Sequence, residues 1–259
     1  RAQWVGIDGA PTTATVFGHL PMSDNVELGL NLVHDEIGDV VQETNLNADF
    51  AYKLPIQENA TLALGLKAGA SFFSTDFSRL QLGSGAPATD PSFAQNINQT
   101  YPTIGIGAYY FSESYYIGLS TPNLVASRHI EDENGVQRLG SENTHYFLTG
   151  GYVFEPSSEF QIKPSFMARW VNGAPVSIDL NANVRFYQRF EAGIGYRLDD
   201  AVTGMVNFEV TPGVRVGYAY DYTTSNLGEY NNGSHEIMLL FDFDIFGKLP
   251  SYRKSPRFF

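Results

Sequence analysis

The chain has 259 residues, with 28 acidic and 16 basic side chains, a formal charge of −12 and no cysteine. That balance excludes the basic footprint of a nucleic-acid-binding protein, and the missing thiols exclude disulfide staples and thiolate metal sites. Hydrophobic residues make up 43% and form no run near the ~18 needed for a helical membrane span. The figure does not exclude transmembrane strands, which are apolar on one face only.

The 25 glycines, 19 phenylalanines and 15 tyrosines suit a barrel wall with aromatic girdles. Beginning at Arg1 rather than Met, the chain reads as a processed or trimmed product.

In chain order the sequence alternates apolar and polar residues with a period of two, the mark of strands with one apolar and one polar face. Residues 1–6 read as the remainder of a first strand. Val26, Leu28, Leu30 and Leu32 alternate with Glu27, Gly29 and Asn31. Leu46, Ala48, Phe50 and Tyr52 alternate with Asn47, Asp49 and Ala51, and Leu62, Leu64, Leu66 and Ala68 with Ala63, Gly65 and Lys67. Phe160, Ile162, Phe166, Ala168 and Trp170 oppose Gln161, Lys163, Ser165 and Arg169.

The pattern is most regular at Val176, Ile178, Leu180, Ala182, Val184 and Phe186, with Ser177, Asp179, Asn181, Asn183 and Arg185 between them. Phe190, Ala192, Ile194 and Tyr196 then oppose Glu191, Gly193 and Arg197. Val206, Phe208 and Val210 oppose Asn207 and Glu209; Val216, Tyr218, Tyr220 and Tyr222 oppose Arg215, Gly217 and Asp221; Ile237, Leu239 and Phe241 oppose Glu236 and Asp242.

The connections form two sets that alternate along the chain. Short turns fall at 22–25, 57–60, 112–114, 156–159, 188–189 and 212–213. Mostly longer connections fall at 7–11, 34–42, 77–99, 125–142, 172–175, 199–200 and 223–233. Short turns at one end and long loops at the other give an all-β fold, a transmembrane antiparallel up-and-down β-barrel of about 14 strands, range about 12–16. The barrel is expected to occupy residues 1–246, with 247–259 a periplasmic tail. Loops are expected outside, and both termini on the periplasmic side.

A soluble sandwich strand alternates in the same way. Strands of ~10 residues, where soluble ones average ~5–6, favour the barrel. So do aromatic clusters at the short turns: Tyr109, Tyr110, Phe111, Tyr115 and Tyr116 at one, Phe154 and Phe160 at another, and Phe186, Tyr187 and Phe190 at a third.

The polar face places Glu27, Asp49, Lys67, Lys163, Arg169, Asp179, Arg185, Arg197, Glu209, Arg215, Asp221 and Glu236 toward the lumen. They read as a structural polar interior or as a selectivity lining for a solute. No catalytic residue, metal site or cofactor site is expected. Asp199 and Asp200 point to opposite faces, Asp242 and Asp244 lack a third ligand, and Glu131, Asp132 and Glu133 read as a solvated loop rather than a calcium site. The five histidines have no metal-binding spacing, and no nucleophile elbow, P-loop or dinucleotide fingerprint occurs.

The outer loops are the recognition candidates: Asp8, Gly9 and Pro11, then Asn172, Gly173 and Pro175, then Tyr230, Asn231 and Asn232. A porin-like or fatty-acid-transporter-like channel is the alternative function.

Several stretches resemble one family. They are Gln3-Trp4-Val5-Gly6-Ile7-Asp8-Gly9-Ala10-Pro11, Thr121-Pro122-Asn123-Leu124, Asn172-Gly173-Ala174-Pro175, Gly217-Tyr218-Ala219-Tyr220-Asp221-Tyr222, Gly233-Ser234-His235-Glu236-Ile237 and Ser255-Pro256-Arg257-Phe258-Phe259. Together they resemble the PorP/SprF family of Bacteroidota. The resemblance implies an outer-membrane barrel of the type IX secretion system, tied to gliding motility and to the export and surface retention of secreted adhesins with a type B C-terminal domain. The partners it implies are an adhesin C-terminal domain, other type IX secretion components and outer-membrane lipid, with no nucleic acid. The family brings no set of catalytic residues.

Overall fold

The computed structural model describes residues 1–79, 95–124, 128–133, 136–141 and 143–243. The alternating segments become strands β1 (Thr12–Pro21), β2 (Val26–Ile37), β3 (Val41–Gln57), β4 (Ala60–Thr75), β5 (Asn98–Ser112), β6 (Tyr115–Thr121), β7 (Arg128–Glu133) and β8 (Val136–Ser141). They continue with β9 (His145–Tyr152), β10 (Phe154–Ser157), β11 (Phe160–Val171), β12 (Ser177–Phe186), β13 (Phe190–Arg197), β14 (Ala201–Thr211), β15 (Val214–Thr223) and β16 (Ser234–Phe241).

Fourteen of these form one antiparallel sheet in the order β1-β2-β3-β4-β5-β6-β9-β11-β12-β13-β14-β15-β16, with β10 also paired to β11. The remaining pair, β7 and β8, makes a separate hairpin inside the charged connection 125–142, where a solvated loop at Glu131, Asp132 and Glu133 is the expectation from sequence.

Register holds the two faces in phase across the ladders. Leu28, Phe50, Leu66 and Ile106 succeed one another over four strands, and one residue along Gly29, Asp49, Lys67 and Gly105 do the same on the other face. A slip of one residue would interchange those rows. The apolar face is the exposed one: Leu30 is 64% exposed, Ile194 68% and Ile237 74%. Among the described residues the buried apolar set is only Ala60, Phe111, Tyr116, Val153 and Ala201. A soluble sandwich buries its apolar face; this sheet presents it outward, as a membrane barrel does to lipid.

Aromatic rings cluster on that outer face toward the strand ends. Phe160, Phe186 and Phe190 form a row at the short turns with centroids 5.3 and 6.3 Å apart, and Tyr146 stacks on Trp170 at 5.3 Å near the loop end. The cluster around the 112–114 turn divides, however. Tyr110 and Tyr115 face outward, whereas Tyr109, Phe111 and Tyr116 fall on the inner face and pack ring to ring at 5.4 and 5.7 Å.

One boundary differs from expectation. The connection expected at 34–42 shrinks to 38–40, because His34, Asp35 and Glu36 pair with Thr44, Glu43 and Gln42 and carry β2 and β3 onward. The expected boundary at 246 and the tail 247–259 lie outside the described residues, as does part of the long connection 77–99.

Residues 1–5 sit between β1 and β16. Ala2 pairs with both Thr12 and His235, and Val5 donates to the Gly233 carbonyl at 2.8 Å. Both contacts are at the loop end of the wall. Arg1 therefore lies in the loop-end half of the wall, and Phe243 at the short-turn end.

Candidate functional site

The loop end is built around the place where residues 1–5 join the two edge strands. Asn232 donates its amide to the Val5 carbonyl at 2.7 Å, and Trp4 donates to Ser234 Oγ at 3.1 Å. Gly6 follows at φ +100, and a Cβ there would lie 2.8 Å from Asn232 Nδ2, so glycine alone fits this crossing. Gly38 then donates to the Gly9 carbonyl at 2.9 Å, tying the connection 38–40 to the same group.

Trp4, Val5 and Gly6 thus meet the connection that carries Tyr230, Asn231 and Asn232, and the candidates Asp8, Gly9 and Pro11 follow directly after that crossing, with Gly9 held by Gly38. Asp8, Gly9 and Asn232 are exposed, Pro11 is half-buried and Tyr230 is 71% exposed. Asn172, Gly173 and Pro175 are exposed too, but they cap β11 and β12 in the middle of the sheet order, away from β1 and β16.

Asn231 does something different from its neighbours. Its Oδ1 accepts from Thr223 Oγ1 at 3.1 Å and from the Gly233 amide at 2.7 Å, and its Nδ2 donates to the Leu227 carbonyl at 2.6 Å. Those bonds knit the 3-10 turn Asn226–Glu229 to the start of β16. Its side chain is an internal brace, and Tyr230 and Asn232 flank it as the accessible pair.

Elsewhere on this rim Asp76 accepts from Ser78 Oγ at 2.6 Å and from the Ser78 amide at 3.2 Å, and pairs with Arg79 at 3.0 Å. The Ser78 hydroxyl bond is the main reason that its carboxyl titrates below the usual aspartate range.

Below the rim, all twelve charged residues expected on the polar face share one face by register. They divide into local networks. Asp179 Oδ1 accepts from Arg197 Nε at 2.7 Å, and Arg169 Nη2 lies 3.2 Å from Oδ2 as an ion pair. Arg197 reaches on to Asp200 at 3.2 Å, and Arg169 to Ser177 Oγ at 3.0 Å.

Asp49 accepts from Asn31 at 2.6 Å and stands opposite Lys67. Glu27 pairs with Lys53 at 2.9 Å. Asp221 accepts from Thr203 at 2.6 Å and from Arg1 at 3.0 Å, and Arg1 also lies 3.8 Å from Glu236. Arg185 donates to Gln161 at 2.8 Å, Glu209 lies 4.0 Å from Arg215, and Lys163 is buried.

Most of these charges have an opposite charge beside them, so the inner face is a cross-linked polar layer. Sequence reasoning missed Asp35, Glu43, Lys53 and Asp200, although the first three simply continue the parity of their strands, and it set Glu191 on the polar face without counting it among the lumen charges. Asp35 accepts from Thr13 at 2.5 Å, and Glu43 from Ser71 at 2.7 Å.

Residues 1–241 match the family model described as type IX secretion system membrane protein PorP/SprF. The chain belongs to the PorP/SprF family. No curated protein sequence matches it. Among solved structures it is similar to a triple mutant of the Rhodopseudomonas blastica porin, with 10% identity, TM-score 0.37 and 90% of each chain covered. It is also similar to a Pseudomonas aeruginosa FadL homologue, with 11% identity and TM-score 0.45, over 87% of this chain and 74% of that one.

Within this PorP/SprF chain the loop-end assembly at Asp8, Gly9, Tyr230 and Asn232 and the inner polar layer are separate features. The first is exposed and backbone-rich, suited to contact with another polypeptide. The second is a half-buried set of ion pairs and amides.

Proposed function

We propose that this protein is an outer-membrane barrel of the type IX secretion system that binds the type B C-terminal domain of a cognate secreted adhesin and assists its export and retention at the cell surface. Membership of the PorP/SprF family over residues 1–241 carries the reading. In it the loop end faces outward, and Asp8, Gly9, Tyr230 and Asn232 receive the partner. Asn172, Gly173 and Pro175 form a second, separate contact, and other secretion components engage the short-turn end.

A ring with a polar tip beside exposed amides suits a peptide surface. The inner polar layer then serves to hold the wall rigid while lipid covers the apolar face.

The deciding experiment is deletion of the gene, followed by fractionation of the neighbouring adhesin. Loss of the adhesin from the cell surface, with capture of its C-terminal domain by the purified barrel in mild detergent, is the expected result. An adhesin still exported and retained would overturn the reading. Steady single-channel current in planar bilayers, together with a normal adhesin, would point to a channel instead.

A further inference from the structure

Basic charge is divided unevenly between the two sides of the wall. By register the arginines and lysines of β3, β4, β11, β12, β13 and β15 belong to the inner face. Among the described residues no arginine or lysine of the large sheet holds an outward position, and at the loop end of β2 the outward residues are His34 and Glu36. Arg189 reaches the outer face from the turn between β12 and β13. Its Cζ lies 5.8 Å from the centre of the Phe208 ring, and Phe208 is outward and exposed.

Phe208 belongs to a row of four outward rings. Phe160, Phe186, Phe190 and Phe208 follow one another across β11, β12, β13 and β14, beside the short turns. Aromatic rings so placed mark the level of the lipid headgroups. Arg189 is thus a guanidinium at headgroup level, standing at the edge of the apolar band. Its Nη2 makes one long bond, 3.4 Å, to the Glu209 carbonyl, and no carboxylate among the described residues pairs with it. The nearby acids turn inward, Glu191 to Asn183 and Glu209 to Arg215. Most of the N–H donors of the guanidinium are left for another acceptor.

The turn that carries Arg189 is held in a single strained shape. Tyr187 and Gln188 sit at φ +50 and +57, in the left-handed region where asparagine and glycine are usual in a hairpin turn. Bonds on both sides fix them there. Tyr187 donates its amide to the Glu159 carbonyl at 2.7 Å, and the Arg189 carbonyl accepts from the Glu209 amide at 2.8 Å. Tyr187 is nevertheless 67% exposed, so its ring recovers little of the strain by packing within the protein. A fixed turn that presents a phenol and a guanidinium is pre-organised for a ligand.

We propose that the Tyr187–Arg189 turn binds the phosphodiester of a phospholipid in the leaflet at the short-turn end. Arg189 pairs with two phosphate oxygens, a fit that its planar fork makes and a lysine does not. The Tyr187 hydroxyl donates to an oxygen of the same headgroup, and the phenylalanine row lies along the start of the acyl chains. At the loop end an anionic headgroup would meet Glu36 instead, so its counter-charge is on the short-turn side. The site rests on the outer-membrane reading given above and is independent of any adhesin.

The test uses the full chain folded into vesicles of phosphatidylethanolamine and phosphatidylglycerol that also hold lipopolysaccharide. Heat-dependent gel mobility first reports insertion, which is expected to be equal in wild type and all variants. Failure of the wild type to insert would overturn the membrane reading, and the site with it. The inserted barrel is then extracted in mild detergent and weighed intact by mass spectrometry. Wild type is expected to retain phospholipid, and Arg189→Gln to retain about tenfold less. Arg189→Lys and Tyr187→Asn are expected to fall between the two. Arg79→Gln, which removes a charge at the opposite end, is expected to match wild type. Retention by Arg189→Gln equal to wild type would overturn the proposal. So would loss of the lipid from wild type in excess inorganic phosphate, which would make free phosphate the ligand. Lipopolysaccharide retained in place of phospholipid would put the turn in the other leaflet and overturn it too.

Discussion

Asp179 and Arg197 are direct cross-strand partners, and their side chains meet at 2.7 Å between Oδ1 and Nε. Arg169 approaches the other oxygen of the same carboxylate. The aspartate side chain is only 14% exposed, so little water would replace it if it were removed. Arg169 would lose its counter-charge, and Arg197 would keep only the more exposed Asp200. Asp179→Ala is therefore expected to cost about 1–3 kcal/mol. Arg79→Ala, which breaks an exposed pair with Asp76, is expected to cost about 0–1 kcal/mol. Urea unfolding in lipid vesicles separates the two, and equal midpoints would remove the network from the list of stabilising features.

The apolar face gives a depth-dependent prediction. Ile194 lies at the middle of β13, outward, between Ala182 and Gly204 on the adjacent strands. Ile194→Arg places a guanidinium in hydrocarbon and is expected to destabilise by about 2–4 kcal/mol. Val202, also outward, is at the loop end of β14, where the charge reaches water, and Val202→Arg is expected to cost about 0–1 kcal/mol. If the two arginines cost the same in vesicle unfolding, the apolar band does not span lipid in this register.

These contrasts also show what was legible in the residues. Phase along a strand is written locally, so Asp179 and Ile194 could be assigned to opposite faces from alternation alone. Features set by a neighbouring strand could not. Asp35 and Glu36 look like loop residues until Glu43 and Gln42 are found opposite them, which extends the ladder beyond the apolar band. Tyr109 and Tyr110 are equally aromatic, and only registration against Ala63 and Leu62 puts one ring inside and the other outside. Asn231 shares the chemistry of Asn232, and only the approach of Thr223 and Leu227 distinguishes brace from surface. The seam at residues 1–5 is backbone pairing, on which side-chain pattern is silent.

Close packing between adjacent strands predicts a sharp difference between two glycines. A Cβ on Gly69 would collide with the Leu46 carbonyl oxygen and lie 2.5 Å from Asn47 Oδ1 and 2.7 Å from Asn47 Cα. Two of those atoms belong to backbone, which cannot rotate away, and Asn47 is itself buried at 2% exposure. Gly69→Ala is expected to cost at least about 1–3 kcal/mol as β3 and β4 shift. Gly204 has nothing within 4 Å of its would-be Cβ, and Gly204→Ala is expected to be neutral within about 0.5 kcal/mol. Comparable loss of folded barrel in both variants, read by the heat-dependent mobility shift on gels, would contradict this packing.

Tyr230 and Asn231 adjoin in sequence and should separate cleanly in function. Tyr230 is 71% exposed, so Tyr230→Ala should leave unfolding unchanged while weakening capture of the partner's C-terminal domain about tenfold, as for an exposed aromatic anchor. Asn231→Ala removes the bonds to Thr223, Leu227 and Gly233, leaving a backbone amide and a hydroxyl short of their acceptor. It should speed amide hydrogen exchange across residues 224–233 and lower partner capture indirectly, through loss of the loop's shape. Capture by Tyr230→Ala at the wild-type level would place the docking surface elsewhere on the rim, with the exposed turn at Asn172, Gly173 and Pro175 the next region to alter. Unchanged exchange in Asn231→Ala would mean that the turn Asn226–Glu229 and β16 hold the loop without its side chain.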